Sequence, residues 1–190
     1  VLVIALAGCG KGRCCGGDQP AKASDTASTK AACCGAACPT SAVATVVPTA
    51  GNQTKGVVRF TQQGSDAVKV VAEIEGLKPN QKHAFHIHEF GDATAPNADS
   101  AGGHFNPEGH AHGGPHSEHR HVGDLGNVQA DAQGKARHEL VVQGASVCGK
   151  NAVLGRSVIL HEKEDDLTSQ PAGNAGPRIA IGIIGVAKAP

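Results

Sequence analysis

Val68-Lys69-Val70-Val71-Ala72-Glu73-Ile74-Glu75 alternates along its length. Val68, Val70, Ala72 and Ile74 share one face, and Lys69, Glu73 and Glu75 share the other. That period of two is the mark of a half-buried strand. Similar runs lie upstream at 42–48 and 56–61, and downstream at 82–89, 123–130, 136–142, 155–161 and 178–186. Turn signals separate the earlier ones: Gly51-Asn52, Lys78-Pro79-Asn80 and Asp131-Ala132-Gln133-Gly134. Eight short runs with no sustained helical period predict an all-β, eight-stranded antiparallel Greek-key β-sandwich or flattened barrel. Two connections, 90–122 and 162–177, are long, and structureless loops of that length are uncommon unless they carry function.

The composition agrees. The 190 residues include no Trp, Tyr or Met and only four Phe, so a core must be built from Val, Ile, Leu and Ala. A formal net charge of zero gives no reason to expect a nucleic-acid partner. Eleven His and seven Cys are the unusual counts. Six Cys precede residue 39, whereas most of the His fall between 83 and 121.

The front of the chain reads differently from the rest. Residues 1–8 form a short apolar run that reads as a truncated signal segment, far shorter than the ~20 residues a membrane-spanning helix needs. Leu6-Ala7-Gly8-Cys9 resembles the lipobox of bacterial lipoproteins, which implies export and a lipid anchor on Cys9 at a periplasmic or cell-surface membrane. The alternative is a buried first strand. Residues 9–41 form a Cys-rich stretch with no Val, Ile, Leu or Phe between 10 and 41, and read as a flexible tether that cannot bury enough apolar surface to fold. Its cysteines, among them Cys14-Cys15 and Cys33-Cys34, suit either soft-metal capture or disulfides. The folded domain is expected over 42–190.

Phe85-His86-Ile87-His88 puts two imidazoles on one face of a strand and two apolar side chains on the other. Alone, an H-x-H pair is a weak signal and is more often a surface pair than a site. The following loop adds His104, His112, His121 and Asp124, a donor set suited to a tetrahedral borderline cation such as Zn²⁺. Later, His161 ends another strand. Six His and one Asp suffice for two neighbouring ions.

The strings FHIHEFGD (85–92), GHFNP (103–107), HGGP (112–115), RHVGDLGN (120–127), GR-x-V-I-L-HEK-x-DDL (155–167) and GNAG-x-R (173–178) resemble the signature blocks of copper/zinc superoxide dismutases. The resemblance covers 42–190. It implies dismutation of superoxide to O₂ and hydrogen peroxide, with copper held by His86, His88, His104 and His161. It implies zinc held by His104, His112, His121 and Asp124, with His104 shared and acting in proton transfer. Asp165 would orient His86 and His112, Arg178 would guide the anion, and Lys163 is either a further guiding charge or an ordinary surface residue. Phe90, Gly91, Leu154 and Gly155 match the family's two-fold contact, implying a homodimer. The family's intrasubunit disulfide falls on Asn97 and Ile181, which cannot form it. Cys148 reads as a small buried hydrophobe, the alternative being a bond to a tether Cys or to a second subunit. The last strand is apolar on both faces, so one face needs cover, which a dimer would supply. His110, His116 and His119 are in surplus and are either solvated or recruit metal. The competing reading from another class is an exported copper- and zinc-binding buffer, which would have no use for Arg178 or Asp165.

Overall fold

The computed structural model describes residues 38–188. The readings for the signal segment, Cys9 and most of the tether lie outside the described residues. Eight strands follow in chain order: β1 (Ser41–Pro48), β2 (Lys55–Gln63), β3 (Ala67–Glu75), β4 (Lys82–His88), β5 (Asp124–Gln129), β6 (Ala136–Gln143), β7 (Ser157–His161) and β8 (Arg178–Val186). Among the described residues the only helical element is a 3₁₀ turn at Asp99–Ala101.

Every pairing is antiparallel, in the order β5-β4-β7-β8-β1-β2-β3-β6. The two outermost strands, β5 and β6, are consecutive in sequence and approach one another, so the sheet nearly closes into a barrel. Alternation fills its interior. Val68, Val70, Ala72 and Ile74 of β3 are each 3% exposed or less, joined by Val58 and Phe60 of β2 and by Phe85 and Ile87 of β4. Fully burying such a side chain contributes roughly 1.5–3 kcal/mol, so this interior dominates stability.

The topology decides where function can sit. Strands β4, β7 and β8 are neighbours, with His86 opposite Ile159 and His161 opposite Arg178. Register shifts fall between Ala84 and His86 and between Leu160 and His161. Irregularities of this kind re-aim a side chain next to a site. Both long connections leave from this side, after β4 and after β7. The first is stitched to β4 at both ends. Phe105 N–H donates to Ile87 O at 2.8 Å, and Ile87 N–H donates to Gly123 O at 2.8 Å. Gly123 has to be glycine, because a Cβ there would drive into the Ile87 carbonyl.

Two expectations change. Ile181 is covered from within the chain: Ala98, Ala101, Ile159 and Ile181 form a second apolar cluster, all 5% exposed or less. The 3₁₀ turn of the first loop therefore lies over β7 and β8. Asn97 points away to Asp99, 2.7 Å from Nδ2 to Oδ2, and it is Ala98 that packs with Ile181. Apolar contact thus holds the loop where the resemblance places a disulfide. On β8, Ile183 at 39% and Val186 at 65% remain exposed.

Cys148 is not a lone small hydrophobe. It is disulfide-bonded to Cys38 across 110 residues, with the Cα atoms 5.7 Å apart. The bond fastens the segment before β1 to the loop after β6. Chain-entropy arguments give up to about 5 kcal/mol for so long a loop, against a typical 2–4. Cys148→Ser is accordingly expected to lower the unfolding free energy by about 2–4 kcal/mol, read from urea melts with and without reductant. An identical midpoint in both would remove the staple from the account.

Candidate metal centre

Four imidazoles converge where β4, β7 and the first loop meet. His86, His88, His104 and His161 are all buried, and their donor atoms lie within 4.8 Å of one another. Each ring is steered by its outer nitrogen. His88 Nδ1–H donates to Gly102 O at 2.9 Å, and His161 Nδ1–H donates to Gly176 O at 3.0 Å. His86 Nε2–H donates to Asp165 Oδ2 at 2.8 Å, while His104 Nδ1 faces Asp124 Oδ1 at 2.9 Å. The inner nitrogens, His86 Nδ1 and the Nε2 atoms of His88, His104 and His161, are buried with no protein partner. Leaving one such atom unsatisfied costs about 1–3 kcal/mol. Four that converge in this way are a donor set suited to a cation.

The ring positions describe its geometry. The pairs His86–His88 and His104–His161 have centroids 6.4 Å apart. The other four pairs are 3.9, 5.1, 5.1 and 5.6 Å apart. Two long diagonals and four shorter sides make a distorted square of imidazole rings.

The second group is His104, His112, His121 and Asp124. Asp124 Oδ1 lies 2.9, 3.0 and 3.2 Å from the Nδ1 atoms of His104, His112 and His121. Bonds of about 2.0 Å in a tetrahedron give donor separations of about 3.3 Å, so the set is sized for a tetrahedral ion. Ring centroids here are 5.3, 5.4 and 5.6 Å apart. His112 Nε2–H donates to Asp165 Oδ1 at 2.9 Å, which leaves its Nδ1 lone pair facing a carboxylate. Only a proton or a cation relieves that contact. Burial alone would depress His112, yet its bonds to Asp124 and Asp165 prevail and push it up to about 9. A proton here does the work of an ion.

The surroundings carry the same logic. Burial would raise Asp124 and Asp165, but hydrogen bonds from His104 and His112 to the former, and from His112 and His86 to the latter, hold both carboxyls well below their usual range. Burial depresses His86 to about 4 and His161 to about 3, so both rings are neutral at neutral pH and the inner nitrogen of each, opposite its hydrogen-bonded N–H, offers a lone pair. The carboxylate of Asp165 links the two groups through His86 and His112, and Gly173 leaves it room, since a Cβ there would overlap Oδ1. Arg178 stands opposite His161, with Nη1 donating to Ala98 O at 2.5 Å and Nη2 to Gly102 O at 2.7 Å. Gly102 O thus accepts from both Arg178 and His88.

Four supporting residues were not singled out from sequence. Arg120 is buried and donates to Pro115 O, His121 O and Gln143 O, closing the first loop. Gln170 exchanges two hydrogen bonds with the His112 backbone, and Asn127 exchanges two with the Asp165 backbone. His83 is buried, its Nδ1–H donating to the carbonyl of His161 at 2.9 Å. Arg120, Asn127 and His83 sit in or beside the quoted blocks, but their types alone do not announce a role.

An antiparallel barrel bearing a square of imidazoles fused through one His to a tetrahedral His₃Asp set defines a two-metal redox protein. Residues 54–184 match the family model described as Copper/zinc superoxide dismutase (SODC). The chain is 49% identical over 140 residues to the "Superoxide dismutase [Cu-Zn]" of Paramecium bursaria Chlorella virus 1, covering 70% of this chain and 74% of that one. It is 45% identical over 141 residues to that of Neurospora crassa, covering 70% and 91%. Among solved structures, the crystal structure of the clock protein EA4 superposes with a TM-score of 0.73 at 40% identity, covering 80% of this chain and 98% of that one. The chain belongs to the copper/zinc superoxide dismutase family. It is an oxidoreductase that uses copper and zinc to convert superoxide to O₂ and hydrogen peroxide.

Proposed function

We propose that the square set, His86, His88, His104 and His161, holds copper, and that His104, His112, His121 and Asp124 hold zinc. The observation carrying this reading is the contrast in geometry: tetragonal nitrogen donors suit Cu(II), and a compact tetrahedron with one carboxylate suits Zn²⁺. Bound copper supplies the alternating one-electron oxidation and reduction of the substrate. The protein's own groups do the rest. His104 is the shared ring, its Nδ1 held on the Asp124 side while Nε2 takes up a proton in one half-cycle and delivers it in the next. Asp165 fixes the tautomers of His86 and His112 by accepting from both Nε2 atoms. The two carbonyl bonds of Arg178 use two of its five donors and fix a cation beside His161 that attracts and orients the superoxide anion.

Arg178→Ala is the test of this arrangement. The variant should keep one copper and one zinc per chain, lose about tenfold or more in kcat/KM, and respond less to ionic strength than the parent. An unchanged rate and salt profile would refute the guiding role.

The proposed homodimer uses Phe90, Gly91, Leu154 and Gly155. Phe90 is 54% exposed and Ile183 39%. Both lie close to Ser157, whose hydroxyl donates to Phe90 O at 2.8 Å and whose strand partner is Ile183. Export and an anchor on Cys9 rest on the lipobox resemblance, and the Cys38–Cys148 disulfide is in keeping with an oxidising compartment.

A further inference from the structure

We propose that His110 and His119 form a third cation site, for a divalent ion of zinc or copper type, on the outer side of the loop that carries the resident ligands. Their ring centroids lie 5.0 Å apart, at 47° between planes. With metal–nitrogen bonds of about 2.0 Å and a tetrahedral angle, two imidazoles sharing an ion have centroids about 5 Å apart. The His pairs of the two resident groups that share an ion side by side fall at 3.9–5.6 Å, so this pair already has the spacing of a chelate.

The pair is held in place. The Asn106 side chain clamps the His110 backbone on both sides, donating from Nδ2 to His110 O at 2.8 Å and accepting from His110 N–H at 3.1 Å. His119 precedes Arg120, whose three carbonyl bonds fix that end of the loop. Glu108 adds a negative charge beside His110. Glu108 Oε1 takes Asn151 Nδ2 at 3.1 Å and Lys150 Nζ at 3.3 Å, while Oε2 lies 3.9 Å from His110 Nε2. Two imidazoles, completed by water, select a borderline divalent cation over calcium or magnesium, and the Glu108 carboxylate favours a positive charge beside His110. An ion gripping residues 110 and 119 also cross-links the loop just outside His112 and His121, so its occupancy braces the segment that presents two resident ligands.

The test uses the full chain loaded with its resident copper and zinc, with thiols alkylated. Titration of Zn²⁺ in a calorimeter should show one further equivalent per chain. His110→Gln with His119→Gln should weaken that equivalent at least ~10-fold while both resident ions stay bound, and His116→Gln should leave it intact. Added Cu²⁺ should give a second cupric resonance signal with two nitrogen ligands on the unsubstituted protein, a readout independent of any variant. No third equivalent, equal binding by the double variant, loss through His116→Gln, or a second signal without nitrogen ligands would each overturn the proposal.

Discussion

His161→Ala should abolish dismutation, with kcat/KM falling by at least ~100-fold, while the protein stays folded with one zinc per chain. His161 contributes only to the square set, so its loss removes one of four nitrogens and leaves the tetrahedral set complete. Loss of a mere outer partner of a ligand typically costs 10–100-fold, and loss of a ligand itself costs more. The fold should survive because His161 is buried for its function and not for packing. Its Nε2 has no protein partner, and burial depresses the ring to about 3, so the metal-free chain bears an uncompensated polar atom there. Its carbonyl, which accepts from His83, remains in the variant. His161→Leu should therefore melt no lower than the parent when both are metal-free, and lower when both are metal-loaded. Metal analysis, a superoxide consumption assay and thermal melts of both forms read these outcomes. Activity surviving in His161→Ala would end the copper assignment, and a large loss of metal-free stability would make His161 a packing residue.

The alternating runs were legible because a strand with one buried face must write period two into its sequence, and β3 shows it at Val68, Val70, Ala72 and Ile74. Strand ends moved by one or two residues, as at β7, which begins at Ser157 and not at Gly155. Gly155 adopts a positive φ of 78° as the preceding turn closes, a conformation a strand does not use. The members of the two His and Asp groups were legible because imidazoles and a carboxylate at such spacings have few other uses. Their grouping was another matter. That His104 serves two sets, and Asp165 joins them, was implied only by resemblance. It depends on β4, β7 and β8 being neighbours, which no local pattern encodes.

What stayed hidden was non-local. Nothing near Cys148 distinguishes a small buried residue from half of a disulfide, since its partner Cys38 is 110 residues away. The cover over Ile181 comes from Ala98 and Ala101, small residues of a loop with no period to read. Arg120, Asn127 and Gln170 bond to backbone, so their partners follow from the path of the chain and not from side-chain chemistry.

Acid should unfold the metal-free protein between about pH 6 and pH 4, and the metal-loaded protein should resist over the same range. Burial depresses His86 to about 4, His161 to about 3, and His88 well below its usual value. Above pH ~6.5 these rings are neutral folded or unfolded and contribute nothing to the pH dependence. As pH falls through ~6.5 the unfolded chain binds protons that the folded chain refuses, and stability drops until the folded values are reached. Three such groups give a slope of about 4 kcal/mol per pH unit, which exhausts a domain stability of about 5–15 kcal/mol within a few units. His112 acts with the opposite sign. Raised to about 9, it adds stability that is complete below ~6.5 and is lost as pH rises through 9. Asp124 and Asp165, held low, add stability above ~4 that fades only as pH falls further, below the main transition. The metal-free melting temperature should therefore peak near pH 6.5–7 and fall on both sides, more steeply in acid. With both ions bound, the inner nitrogens are occupied and the acid limb should shift down by a pH unit or more. Calorimetric melts of both forms from pH 9 to pH 4 decide it. A flat metal-free profile from pH 7 to pH 4.5 would mean that these imidazoles are not buried and neutral, and the square of unpartnered nitrogens would lose its physical basis.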